Sequence, residues 1–194
     1  MGSGDDRAFP EQVNIHPKEP VSVSMPIQSR FTPIQTREIQ MSKLHTVVVT
    51  SEKSANLRLC GFGGGGRLGG SIQHTQYDLK PLPQLPEVTI VAVAVGQDHT
   101  LALSEGGEVY SWGLNRFSQL GYVIEKEPGK ESFGRKDEPI QSVPRKVQGG
   151  LKKEFVVGVA ASKSASACWT RTELFTWGTN GGQLGRIGVI VWST

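Results

Sequence analysis

The sequence predicts an all-β fold, a partial β-propeller of about three four-stranded antiparallel blades, and three observations carry that prediction. A segment recurs: Leu59-Cys-Gly-Phe-Gly-Gly-Gly-Gly-Arg-Leu-Gly69, Tyr110-Ser-Trp-Gly-Leu-Asn-Arg-Phe-Ser-Gln-Leu-Gly121 and Phe175-Thr-Trp-Gly-Thr-Asn-Gly-Gly-Gln-Leu-Gly185. The copies lie 52 and 65 residues apart, measured from Gly61 to Gly113 and from Gly113 to Gly178. Between them run short apolar–polar alternations of period two, broken by turn residues, and no segment shows a capped helical period.

Each unit is expected to open on a proline followed by a β-branched position: Pro10 with Val13, Pro83 with Val88, and Pro144 with Val147. Proline is tolerated at the first residue of a strand or on a sheet edge. An alternating strand, a tight turn and a second strand come next. The copies read Ile39-Gln-Met-Ser-Lys-Leu-His45-Thr-Val-Val-Val, Val93-Ala-Val-Gly-Gln-Asp-His99-Thr-Leu-Ala-Leu and Val159-Ala-Ala-Ser-Lys-Ser164-Ala-Ser-Ala-Cys-Trp, which aligns His45, His99 and Ser164.

The third strand ends in Cys60-Gly61, Trp112-Gly113 and Trp177-Gly178, and a turn closes on Leu68-Gly69, Leu120-Gly121 and Leu184-Gly185. A glycine at a strand end permits close backbone approach or a positive φ. The leucine is expected to plug the space between adjacent blades. Trp112 and Trp177 share one buried slot, occupied by Cys60 in the first copy, because buried aromatics supply the most contact area per residue.

The expected organisation is a tail continuing a preceding blade turn at 1–8, blade repeats over 9–186 with a polar insert loop at 122–139, and a divergent apolar tail at 187–194. The insert mixes both charge signs with Pro and Gly. Propellers bind through loops carried on rigid blades, so Glu125, Lys126, Phe133, Arg135 and Lys136 form the candidate partner loop. Lys146, Lys152 and Lys153 add a small basic cluster. About three blades leave a ring open, so missing blades or a partner are expected to complete it.

Other classes find little support. A formal charge of +3 over 194 residues points to neither nucleic acid nor a membrane surface. There is no apolar run of ~20 residues and no signal-peptide layout at the N-terminus, so a cytoplasmic or nuclear protein is expected. The two cysteines, Cys60 and Cys168, sit in apolar runs and are expected to be reduced and buried. His45 and His99 read as buried turn histidines bonded to backbone, while His16 and His74 lack ligand spacing, so neither metal nor cofactor is expected. The Gly61–Gly66 string has the spacing of a dinucleotide loop but no helix start after it, and reads as a blade turn. No nucleophile–base pair or paired carboxylates stand out, so the chain is not expected to be an enzyme.

Gly96-Gln-Asp-His99-Thr, continuing through Val109-Tyr-Ser-Trp112-Gly to Gly121, resembles the repeat of the regulator of chromosome condensation, and the resemblance runs roughly from Phe9 to Arg186. It implies a normally seven-bladed ring. Ser42-Lys-Leu-His45-Thr and Asn56-Leu-Arg-Leu-Cys60 through Gly69 are similar to the repeat region of the inhibitor of Bruton tyrosine kinase and its fungal BTB/ankyrin relatives. That narrower resemblance implies a non-enzymatic protein–protein scaffold, an adaptor linked to a ubiquitin ligase. The founding family member implies the alternative, a guanine-nucleotide exchange factor acting on a small Ran-like GTPase.

Overall fold

The computed structural model describes residues 34–70, 74–125 and 138–185. The tails, Pro10, Val13 and His16, together with Lys126, Phe133, Arg135 and Lys136 of the insert, lie outside the described residues.

Eleven strands form three antiparallel sheets among the described residues. The first blade is β1 (Thr36–Met41), β2 (His45–Thr50), β3 (Leu57–Gly61) and β4 (Gln76–Pro81), hydrogen-bonded in that order. The second is β5 (Ile90–Val95), β6 (His99–Ser104), β7 (Val109–Leu114) and β8 (Ile140–Lys146). The third shows β9 (Gly158–Ala161), β10 (Ala165–Trp169) and β11 (Leu174–Gly178). The first strands of successive blades lie side by side, β1 against β5 and β5 against β9, so the blades converge there as in a propeller.

Period-two alternation decides which side chains meet which neighbour. Val47, Val49, Leu57 and Leu59 of the first blade share a core with Ile90, Val93, Ala102 and Trp112 of the second. The opposite face of the second blade, with Ala94, Leu101, Leu103 and Val109, shares a core with Val156, Cys168 and Trp177. Every residue of β6 is therefore buried. Its three polar side chains, His99, Thr100 and Ser104, are buried with hydrogen-bond partners.

Two expectations are corrected. The residue equivalent to His45 and His99 is Ala165, not Ser164: His45 pairs with Gly61, His99 with Gly113 and Ala165 with Gly178. The hairpin of the third blade is one residue shorter, running from Trp169 to Leu174 where the second runs from Leu103 to Val109. Pro144 does not open the third repeat either. It lies within β8, the last strand of the second blade. A missing N–H is harmless on such an edge strand.

Candidate functional site

The site-forming feature of this fold is the joint between blades, because it fixes where the exposed loops stand. Two kinds of contact recur at it, and a third recurs within each blade. At the first joint the Trp112 indole N–H donates to the Arg67 carbonyl at 2.9 Å, and at the second the Trp177 indole donates to the Gln119 carbonyl at 2.8 Å. Arg67 and Gln119 each precede a Leu-Gly pair. Leu68 and Leu120 are buried. Gly69 and Gly121 have φ of +69° and +81°, and a Cβ there would stand 3.0 Å and 3.1 Å from the incoming indole nitrogen. The closing glycine thus clears the seat for the next blade's tryptophan. Leu184 is half-buried, and Gly185, φ +67°, has open space around it.

The second contact joins a histidine to a hydroxyl. His45 Nε2 lies 2.8 Å from Thr100 Oγ1, and His99 Nε2 lies 2.8 Å from Ser166 Oγ. The expected backbone partners are thereby corrected to side chains of the following blade. The Ser166 hydroxyl donates to the Gln119 carbonyl at 2.7 Å, so it accepts from His99, which places the ring proton on Nε2. His99 Nδ1 then carries a lone pair with no partner among the described residues. His45 Nδ1 does have one, the Ser42 hydroxyl at 3.0 Å. The second blade has Gly96 at that position, where a Cβ would sit 2.3 Å from His99 Nδ1.

Both imidazoles are held neutral. Burial, with the Arg67 guanidinium and His99 adding to it, pushes His45 down to about 3. Burial pushes His99 down to about 4 against a small opposing pull from Asp98. Burial also pushes the Cys168 thiol up to about 12 and raises that of Cys60. Both cysteines are free and buried. Cys60, Trp112 and Trp177 occupy the same register, opposite Thr46, Thr100 and Ser166.

The third contact is the strand-end glycine. Gly61, Gly113 and Gly178 have φ of +118°, +113° and +102°. A Cβ would stand 2.4, 2.4 and 2.5 Å from the carbonyl oxygens of Leu44, Asp98 and Ser164. No side chain fits there.

Arg67 distinguishes the first joint. It stands where the other copies have Gln119 and Gln183. Its buried guanidinium pairs with Asp98 of the second blade, donates to the Gly64 carbonyl and lies 5.3 Å from the centre of the Phe62 ring.

Above these joints the turns between the strand-end glycine and Leu-Gly reach solvent. Phe62 is 45% exposed and Phe117 is 54% exposed. Arg116, beside Phe117, pairs with Glu138. Glu125, the member of the candidate loop within the described residues, is exposed. The sequence reading passed over Phe62 and Phe117, yet a signal existed: each is a large apolar residue in a turn otherwise built of glycine and polar residues. His74 is exposed in a turn. Among the described residues no group of three His, Cys, Asp or Glu side chains could hold a metal, and no helix is long and apolar enough to cross a membrane.

Comparison with known proteins fits this geometry. Two models of the regulator of chromosome condensation (RCC1) repeat match, one over residues 90–119 and the other over residues 106–169. The chain is 35% identical to BTB/POZ domain-containing protein 1 of Schizosaccharomyces pombe over 95% of its length and 13% of that protein. It is 35% identical to the human inhibitor of Bruton tyrosine kinase over 78% of the chain and 10% of the relative. The chain therefore spans only about a tenth of the length of these relatives. The crystal structure of human WBSCR16 superposes with a TM-score of 0.62 at 25% identity, covering 80% of this chain and 36% of that one. The repeated joints, the sequence matches and the superposition agree: this chain is a carrier of regulator of chromosome condensation repeats, folded as consecutive propeller blades.

Proposed function

We propose that these blades are the rigid protein-binding part of an adaptor linked to ubiquitin ligation, acting in the cytoplasm or nucleus and performing no catalysis of its own. The observation that carries this reading is the pair Phe62 and Phe117, exposed on corresponding turns of neighbouring blades. Exposed aromatics held on a rigid frame are what dominates binding energy in protein interfaces. The frame is rigid because each turn sits directly over a buried joint. The imidazoles of His45 and His99 are spent in those joints, neutral and out of reach of solvent, so they are not available as general bases. A relative that carries a BTB/POZ domain supports the adaptor reading.

Quantitative affinity capture with the wild-type chain and a Phe62→Ala/Phe117→Ala variant tests it. The variant is expected to melt like the wild type and to lose a ubiquitin-ligase subunit that the wild type retains. An unchanged set of captured proteins contradicts the reading. The second reading, exchange on a Ran-like small GTPase, rests on the family resemblance. Accelerated nucleotide release from such a GTPase in the presence of this chain would favour it over the adaptor.

A further inference from the structure

At the opposite end of β6 and β7 from Phe117, the turn Ser104-Glu-Gly-Gly-Glu108 borders a groove of about 280 Å³. Leu151 and Phe155 line it with apolar surface above the buried Val109 and Val147, and Lys146, Lys152 and Lys153 line it with positive charge. We propose that this groove binds an acidic peptide segment of a partner protein, one whose carboxylates alternate with aliphatic side chains. The proposal rests on reading the chain as a protein-binding scaffold and adds a second surface to it.

The groove is preformed. Val147 N–H donates to the Val109 carbonyl at 2.8 Å, and Val156 N–H donates to the Gly107 carbonyl at 3.1 Å. The segment between them is tied to itself, Lys152 N–H to Gly149 and Glu154 N–H to Leu151. A ligand therefore meets ordered walls, which lowers the entropy lost on binding.

Phe155 supplies an anchor. Its ring lies over Gly107, where a Cβ would stand 2.7 Å from the ring, and yet the residue is 61% exposed. One face rests on bare backbone and the other is open to a ligand. Of the three lysines, Lys146 is engaged by Glu108, whereas Lys152 and Lys153 are exposed and make no ion pair among the described residues. Glu108 and Glu154 line the same groove. Glu108 is balanced by Lys146, but Glu154 makes no ion pair among the described residues and opposes a ligand charged along its whole length, such as nucleic acid. An extended peptide alternates its side chains, so aliphatic groups can face Leu151 and Phe155 while carboxylates reach Lys152 and Lys153.

The test is fluorescence anisotropy with the full chain and a labelled peptide of alternating Glu and Leu. A peptide with Lys in place of Glu and a single-stranded DNA oligonucleotide serve as comparisons. The Glu/Leu peptide is expected to bind, and Lys152→Glu/Lys153→Glu is expected to weaken it by about tenfold or more. Gly106→Trp is expected to block the groove. Position 106 has room, its nearest neighbour being Ser104 Oγ at 3.7 Å from the built Cβ, and its φ is not in the left-handed region. Both variants should melt like the wild type. Phe62→Ala/Phe117→Ala is expected to leave peptide binding unchanged, which separates this groove from the loop face: peptide binding that survives a failed capture experiment retires the loop-face reading alone. The groove proposal is overturned by no binding up to about 1 mM peptide, by equal binding of the Lys peptide, by tighter binding of DNA, or by affinity that ignores the lysine reversals.

Discussion

Between the first and second blades, a buried histidine has a hydrogen-bonding partner on each ring nitrogen, Ser42 on one side and Thr100 on the other. Between the second and third, its counterpart His99 has a partner on Nε2 alone. The first joint also carries a buried Arg67–Asp98 ion pair, where the second has the neutral Gln119, whose side chain caps its own turn through the Phe117 N–H. Trp112 is fully buried, whereas Trp177 retains 8% of its exposure. Yet both joints keep the indole-to-carbonyl bond, the imidazole-to-hydroxyl bond and the positive-φ closing glycine. What the two joints share is structural necessity, and what they do not share is free to vary. Backbone seats and ring donors hold the blades, and charges are added or omitted around them.

The largest expected effect separates the two joints by size. Trp112→Ala is expected to cost about 3–5 kcal/mol in denaturant melts, because its fully buried ring fills part of the first core. Trp177→Ala is expected to cost less, since part of its ring already meets solvent. Equal losses would mean that the two joints bear equal load.

The pH dependence comes next. Unfolded histidine titrates near 6.5, while folded His99 and His45 resist protonation down to about 4 and about 3. The stability they contribute is complete above pH 6.5 and is lost as pH falls below it, because the unfolded chain takes up protons that the folded chain refuses. Each imidazole is expected to remove about 2 kcal/mol between pH 7 and pH 5. Urea melts at the two pH values check this, and His99→Gln should flatten the dependence by about half.

Asp98→Asn sharpens the electrostatic contrast. It leaves the buried Arg67 without its charge partner and is expected to cost about 1–2 kcal/mol, a figure reduced from that of a fully buried pair because Asp98 is partly exposed. Gln119→Ala at the matching place should cost less. The smallest expected effect compares two glycines of similar φ. Gly149→Ala meets only backbone strain, about 1 kcal/mol, since nothing lies within 4 Å of its added Cβ. Gly121→Ala adds crowding against Val147 and the Trp177 indole and should exceed it in thermal melts.

The blade pattern was legible because the strand-end glycine admits no substitute. With a carbonyl 2.4 Å from where a Cβ would be, Gly61 and Gly113 recur as letters that spacing can find. The register of the third copy was not legible, because Ser164 and Ala165 are both small and the hairpin had lost a residue. The opening proline misled for a related reason. Edge tolerance is the same for the last strand of one blade as for the first of the next, and Pro144 belongs to the former. The histidine partners were out of sight since they lie 55 and 67 residues downstream, although the hydroxyl-bearing residue after each histidine, Thr46 and Thr100, belongs to the same position as Ser166. Phe62 and Phe117 were legible as large apolar residues in turns otherwise built of glycine and polar residues, but only the fold shows that both side chains stay exposed.

The second and third blades are each locked to the one before by a buried indole N–H. Hydrogen exchange of the tryptophan side-chain protons, followed by NMR, tests it most directly, with Trp169 on the open face of the third blade, 40% exposed, as the internal comparison. The Trp112 and Trp177 indole protons are expected to exchange far more slowly than that of Trp169, through opening of the joints alone. Exchange of all three at the same rate would contradict it.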